Sequence, residues 1–181
     1  METARVTPPN NVYTFPTQEQ KERAAIWFKT LRDSIVAELE TIEAEYAKQT
    51  KATGPLPQFQ FKNWSRNTPD NLPGGGGTMG LIKGRVFEKG GVNISTTYGH
   101  FSPEFRTQIP GASDNGAFWA TGISLVMHPT NPNVPPVHMN TRHIVTTRGW
   151  FGGGADLNPI LPVDEDTNAF HARLKQTCDK H

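Results

Sequence analysis

The sequence predicts an α+β fold, on three observations. A long stretch near the N-terminus carries apolar residues at three- and four-residue intervals, the period of an amphipathic helix. The middle of the chain instead alternates bulky with small or polar residues at every second position, the period of a strand. The 17 glycines and 15 prolines gather mostly in that middle section, where a sheet needs its turns. A chain of 181 residues suits a single domain with a workable core.

Taken in order, residues 1–16 are rich in Pro and Asn and read as an extended arm. Thr17 and Gln20 fit a capping box, in which each side chain satisfies a free backbone donor. The helix spans 17–48, with Ala24, Phe28, Leu31, Ile35, Leu39, Ile42 and Tyr46 as its inner stripe and Glu and Lys outside. KATGPLPQ ends it, and Phe59, Phe61 and Asn63 alternate as a short strand. A sheet region is expected over 59–159. SRNTPDNLPGGGG reads as a loop; its glycine run lacks the Gly-Lys-Ser/Thr of a phosphate loop, so a connector or a loop folded over a ligand is expected. The next two strands are read as a hairpin turning at Gly90-Gly91. A long loop follows, with a helical turn at Pro103–Arg106.

The strand Phe118–His128 puts bulky Trp119, Thr121, Ile123, Leu125 and Met127 on one face. Its other face holds Ala120, Gly122, Ser124, Val126 and His128, which leaves room for a ligand. On the strand Val137–Val145, His138, Asn140 and Arg142 share one face, and Met139, Thr141 and His143 the other. GWFGGGADLNP reads as a glycine-rich bend beside two aromatics. A last helix over 164–179 opens with acidic residues, which suit the positive end of its dipole, and has Ala169, Phe170, Leu174 and Cys178 as its buried stripe.

Composition excludes several classes of function. A net charge of +1 offers no field for nucleic acid or an anionic membrane. One cysteine cannot build an internal disulfide framework and fits a reducing compartment. The first residues show no apolar signal region, and no apolar run approaches the ~18 residues of a membrane span. A cytoplasmic location is the expectation.

The chemistry concentrates between Gly122 and Pro159. Arg142 offers a planar fork for a carboxylate, Asn140 donates and accepts, and His138 exchanges a proton near neutral pH. The alternative for this face is a plain solvated strand. Asp156 is read as a general base, an ion-pair partner for Arg142, or a turn-forming residue. His128, His138 and His171 raise a metal question that their spacing does not answer. These residues predict a flat, cation-bearing pocket for a small carboxylated ligand.

The same stretch resembles the oxygen-dependent coproporphyrinogen III oxidases. The motifs that carry the resemblance are GISLVMHPTNPNVPPVHMNTR (122–142) and WFGGGADLNP (150–159), with KGRVFEKGGVNIS (83–95), HFSPEFRTQIPGA (100–112) and the last helix in the same order. The resemblance implies a large, mostly antiparallel sheet flanked by helices on both sides, and a homodimer in haem biosynthesis. It implies oxidative decarboxylation of two propionates of coproporphyrinogen III to vinyl groups, giving protoporphyrinogen IX. Molecular oxygen is then the co-substrate and no organic cofactor is needed; a divalent metal is left open, with His128, His138 and His171 as matching ligands. Ser124, Asn140, Thr141 and Arg142 match substrate contacts, His138 a proton donor, and Asp156 the carboxylate under the pyrrole nitrogens. Asn158 stands where the family usually has Thr. The resemblance covers the N-terminal portion of the family, so the chain is expected to be truncated at its C-terminus. A further metal-ligand histidine, a Gly-Gly-Arg substrate contact and much of the dimer interface would lie in the remainder. An inactive porphyrinogen-binding module of the same descent is the alternative.

Overall fold

The computed structural model describes residues 16–180, so the arm expected over 1–16 lies outside the described residues but for Pro16. Helix α1 (Gln18–Thr50) is followed by strands β1 (Gln60–Asn67), β2 (Pro73–Ile82) and β3 (Phe87–His100). A single turn of helix, α2 (Pro103–Arg106), leads to β4 (Ala117–Pro129), β5 (Val137–Val145) and β6 (Gly149–Leu157), and helix α3 (Asp164–Cys178) ends the described chain. The six strands form one sheet in the order of the chain, each antiparallel to the next. The fold is α+β, as the periodicities predict.

The start of α1 follows the capping-box reading. The Thr17 hydroxyl accepts from the Gln20 backbone N–H at 3.2 Å, and the Gln20 side chain accepts from the Thr17 N–H at 2.8 Å. Lys51 closes the helix in the left-handed region, where its N–H reaches the Ala47 and Lys48 carbonyls. The helix packs on the central strands. Its Phe28 and Val36 join Ile82, Phe87, Val92, Ile123, Leu125 and Met127 in the core. The bulky face of β4 therefore meets α1, and its small face is left open.

The inner stripe of α1 differs from the apolar spacing in two ways. Ile42 and Tyr46 are exposed, whereas Arg32 and Glu43 turn inward. Glu43 is fully buried. Its Oε1 accepts from the Val86 and Phe87 backbone N–H groups and its Oε2 from that of Arg85, all at 2.9 Å. Glu40, one turn earlier, accepts from the Phe59 N–H at 2.7 Å. Two helix carboxylates thus hold the start of β1 and the β2–β3 connection, because peptide N–H groups taken out of water need an acceptor.

That clamp explains why the β2–β3 turn lies at 83–86 and not at Gly90-Gly91. Gly84 donates to the Phe87 carbonyl at 2.7 Å and sits against the Glu43 carboxyl so closely that a Cβ would overlap it. Gly90 and Gly91 lie within β3, opposite Ile82 and Leu81. Arg85 donates to the Thr53 carbonyl at 2.8 Å and ties the turn to the segment after α1. The glycine run 74–77 is likewise part of β2, not a loop. The run admits what lies across it, for the Trp64 indole covers Gly77; further along β2 the Phe61 ring covers Gly80. The glycine-rich bend after β5 is strand β6, paired with β5 through its whole length.

Helix α3 begins with Asp164, Glu165 and Asp166, as the dipole argument anticipates. None of its residues is buried, so the stripe of Ala169, Phe170, Leu174 and Cys178 has no core to enter among the described residues. No helix among the described residues is long and apolar enough to cross a membrane.

Candidate active site

The cross-strand register sorts the candidate residues by face. Ser124 lies opposite Asn140, Val126 opposite His138, and Gly122 opposite Arg142. His138 in turn faces Asp156, Asn140 faces Gly154, and Arg142 faces Gly152. Because strand side chains alternate, all these positions belong to the face turned away from α1. Ser124, His128, His138, Asn140, Arg142 and Asp156 therefore share one open surface. A Cβ added at Gly152 or Gly154 would meet nothing within 4 Å, so this part of the surface is bare. Thr141 falls between Asn140 and Arg142 and its side chain turns to the helix-bearing face, so it reaches the open face through its backbone alone.

Asp156 is bound to His138, not to Arg142. His138 Nδ1 lies 2.8 Å from Asp156 Oδ1. Arg142 sits four residues further along the strand, opposite Gly152, out of Asp156's reach. Its Nη2 donates instead to Asn140 Oδ1. Among the described residues no carboxylate lies within ion-pair distance of Arg142, which is exposed. A charged fork with no internal partner suits an incoming carboxylate.

Asn158 is the residue that sequence reasoning did not place in the site. Its Nδ2 donates to Asp156 Oδ1 at 2.6 Å and stands 3.1 Å from His138 Nδ1. The two-residue step from Asp156 was the available signal, since it keeps Asn158 on the same side. The His138 hydrogen bond, and after it the one from Asn158, hold the Asp156 carboxyl below the usual aspartate range. With Nδ1–H given to Asp156, the other ring nitrogen of His138 is left to take up or deliver a proton on the open face. Asn158→Ala removes one donor from the anion, so the Asp156 pKa is expected to rise. A carboxyl-carbon NMR titration checks this, and an unchanged or lower midpoint contradicts it.

Three further side chains need placing. His128, on β4, stands edge-on to His138 with 5.9 Å between ring centroids. His171, on α3, lines a separate hollow of ≈ 250 Å³ that also reaches Asp156. Among the described residues no three His, Cys, Asp or Glu side chains gather as a metal ion would require, so His128, His138 and His171 do not form a ligand set here. His143 is on the opposite, helix-bearing face. It is buried, stacked on Phe151 at 4.4 Å between centroids, and its Nδ1 has no hydrogen-bond partner among the described residues. Burial, with the nearby Lys21 charge, lowers its pKa.

The open face is hollowed over its central strands. A depression of ≈ 340 Å³ has Asn93, Ser124, Asn140 and Arg142 around it, with Gly122 and Ala120 beneath. Asn93 Oδ1 is buried there without a partner among the described residues, an acceptor for an incoming donor. Nearby small side chains, two amides, a guanidinium and a His–Asp pair can receive a broad ligand that carries both carboxylates and N–H groups.

Comparison with known proteins gives the chain a family. Residues 23–181 match the family model described as coproporphyrinogen III oxidase. The chain belongs to the coproporphyrinogen III oxidase family. Proteins named oxygen-dependent coproporphyrinogen-III oxidase from Rickettsia felis and Rickettsia akari are 54% and 53% identical to it over 163 residues. The protein of that name from Rickettsia bellii is 50% identical over 165 residues. These alignments take in 90% or 91% of this family member, and 56% of each relative. The chain thus spans just over half the length of the curated relatives it matches. The span matched by the coproporphyrinogen oxidase model takes in His138, Arg142 and Asp156.

Proposed function

We propose that this protein binds coproporphyrinogen III and takes part in its oxygen-dependent decarboxylation to protoporphyrinogen IX. The observation that carries this reading is the single open face on which Arg142, His138 and Asp156 stand beside a floor of small residues. The macrocycle brings four propionates and four pyrrole N–H groups. Arg142, free of any carboxylate among the described residues, holds a propionate through its fork. Asp156, kept anionic, lies where it can accept from pyrrole N–H groups and stabilise positive charge as electrons leave the ring. His138 moves a proton through the ring nitrogen that Asp156 does not occupy. Each propionate carboxylate loses carbon dioxide, two electrons and one proton as its arm becomes a vinyl group; dioxygen accepts the two electrons, that proton and a second one from solvent, and leaves as hydrogen peroxide.

No step here is assigned to a metal or an organic cofactor. Association of two copies and a cytoplasmic location belong to the same proposal. The second reading is a porphyrinogen-binding module of the same descent without turnover. The deciding experiment incubates the chain with coproporphyrinogen III under oxygen and reads the product by fluorescence after chemical oxidation, with sedimentation in parallel. Protoporphyrin as product supports the enzyme, binding without product supports the module, and the absence of binding overturns both.

A further inference from the structure

One line of paired residues crosses the open face from edge to edge. Trp64 on β1 pairs with Gly77, Gly77 with Ser95, Ser95 with Gly122, Gly122 with Arg142, and Arg142 with Gly152. Only two members of this row have large side chains, Trp64 and Arg142. Four strand steps of about 4.8 Å set their backbones roughly 19 Å apart. Between them lie two glycines and a serine. The row is therefore a trough with an aromatic wall at one end and a cation at the other, and both line the same depression.

The indole is held in that position without being consumed by the core. It rests over Gly77, where a Cβ would approach its Cζ2 to 2.9 Å, so a side chain on β2 would push it away. It lies on the face opposite α1 and remains 40% exposed. A large aromatic propped over a glycine and left uncovered beside polar groups is suited to hold an apolar ring. The orphaned Asn93 oxygen is on the strand between the two ends, in the neighbouring row.

We propose that Trp64 is a ligand-binding residue. Its indole forms the wall of the site opposite Arg142 and packs on the ring system of the macrocycle whose carboxylate arm Arg142 holds. This deepens the porphyrinogen reading and rests on it. Aromatic contact supplies affinity for any tetrapyrrole of this outline, while the fork sets which arm lies over the His138–Asp156 end.

The test titrates the chain with coproporphyrin III, the stable oxidised ring bearing the same substituents, and reads tryptophan emission and porphyrin absorbance. Trp64→Ala is expected to weaken binding roughly tenfold, and Trp64→Phe to remain within roughly threefold of the native chain. Binding should also quench native emission more strongly than that of Trp64→Phe, since an indole touching the porphyrin is lost. Arg142→Gln serves as the control on the site itself. If Arg142→Gln weakens binding while Trp64→Ala stays within twofold, the Trp64 assignment fails and the porphyrinogen reading stands. If circular dichroism shows Trp64→Ala unfolded, the quenching difference decides, and equal quenching in native chain and Trp64→Phe overturns the proposal. A native chain that does not bind coproporphyrin III overturns the assignment and the reading together.

Discussion

Asp156→Ala and Arg142→Ala are each expected to lower conversion of coproporphyrinogen III by at least about a hundredfold, for different reasons. Asp156 supplies a negative charge at a fixed point, set by His138 from β5 and Asn158 beyond β6. Alanine removes that charge and also frees the His138 ring to turn, so the fall should appear in kcat. Asp156→Asn keeps an acceptor for His138 but no charge, and should be nearly as inactive if charge stabilisation dominates. Arg142 acts through its fork, so Arg142→Lys retains the cation yet loses the paired donors and should recover only part of the activity. Its loss should fall heavily on KM, because the carboxylate arm stays bound throughout the reaction. Steady-state kinetics on any form of the protein that turns over decides, and near-native kcat/KM in either alanine variant removes that residue from the mechanism.

The second large effect lies far from the site. Glu43→Ala is expected to destabilise the fold by about 3–5 kcal/mol, because it strands the buried Phe87 N–H and the half-buried N–H groups of Arg85 and Val86. Glu40→Ala removes the acceptor of one backbone N–H, that of Phe59, and should cost about 1–2 kcal/mol. Glu43→Gln retains an oxygen for Val86 and Phe87 but turns an NH₂ group toward the Arg85 N–H, and should fall between the two. Urea unfolding at constant m-value measures all three. A loss below about 1 kcal/mol in Glu43→Ala shows that the turn holds itself without the clamp.

These cases mark how far the sequence could be read. Features fixed by neighbours along the chain were legible: the Thr17 capping box, the Pro103–Arg106 turn, the two faces of β4, and β5 from Val137 to Val145. The alternation that puts His138 with Arg142 needs only the pleat of one strand. Features fixed by distant partners were not. Glu43 reads as an outer-face residue by hydropathy, yet its partners are more than forty positions away. Glycine runs read as turns by local rule, whereas here Gly77 lies within a strand because the Ile94 carbonyl and the Trp64 indole stand where a Cβ would be. The pairing of Asp156 with His138 follows from β5–β6 register, which neither segment states alone.

The chain-order sheet also has a consequence for how the protein is made. Every strand pairs with its predecessor, so no strand must wait for a remote segment before its ladder closes. Such sequential hairpins have low contact order within the sheet and form early, from the N-terminal side, as synthesis proceeds. Once Asn158 has left the ribosome, the whole face from Trp64 to Asp156 has its residues in hand. Whatever is translated afterwards meets a chain in which every residue of that face has already been made.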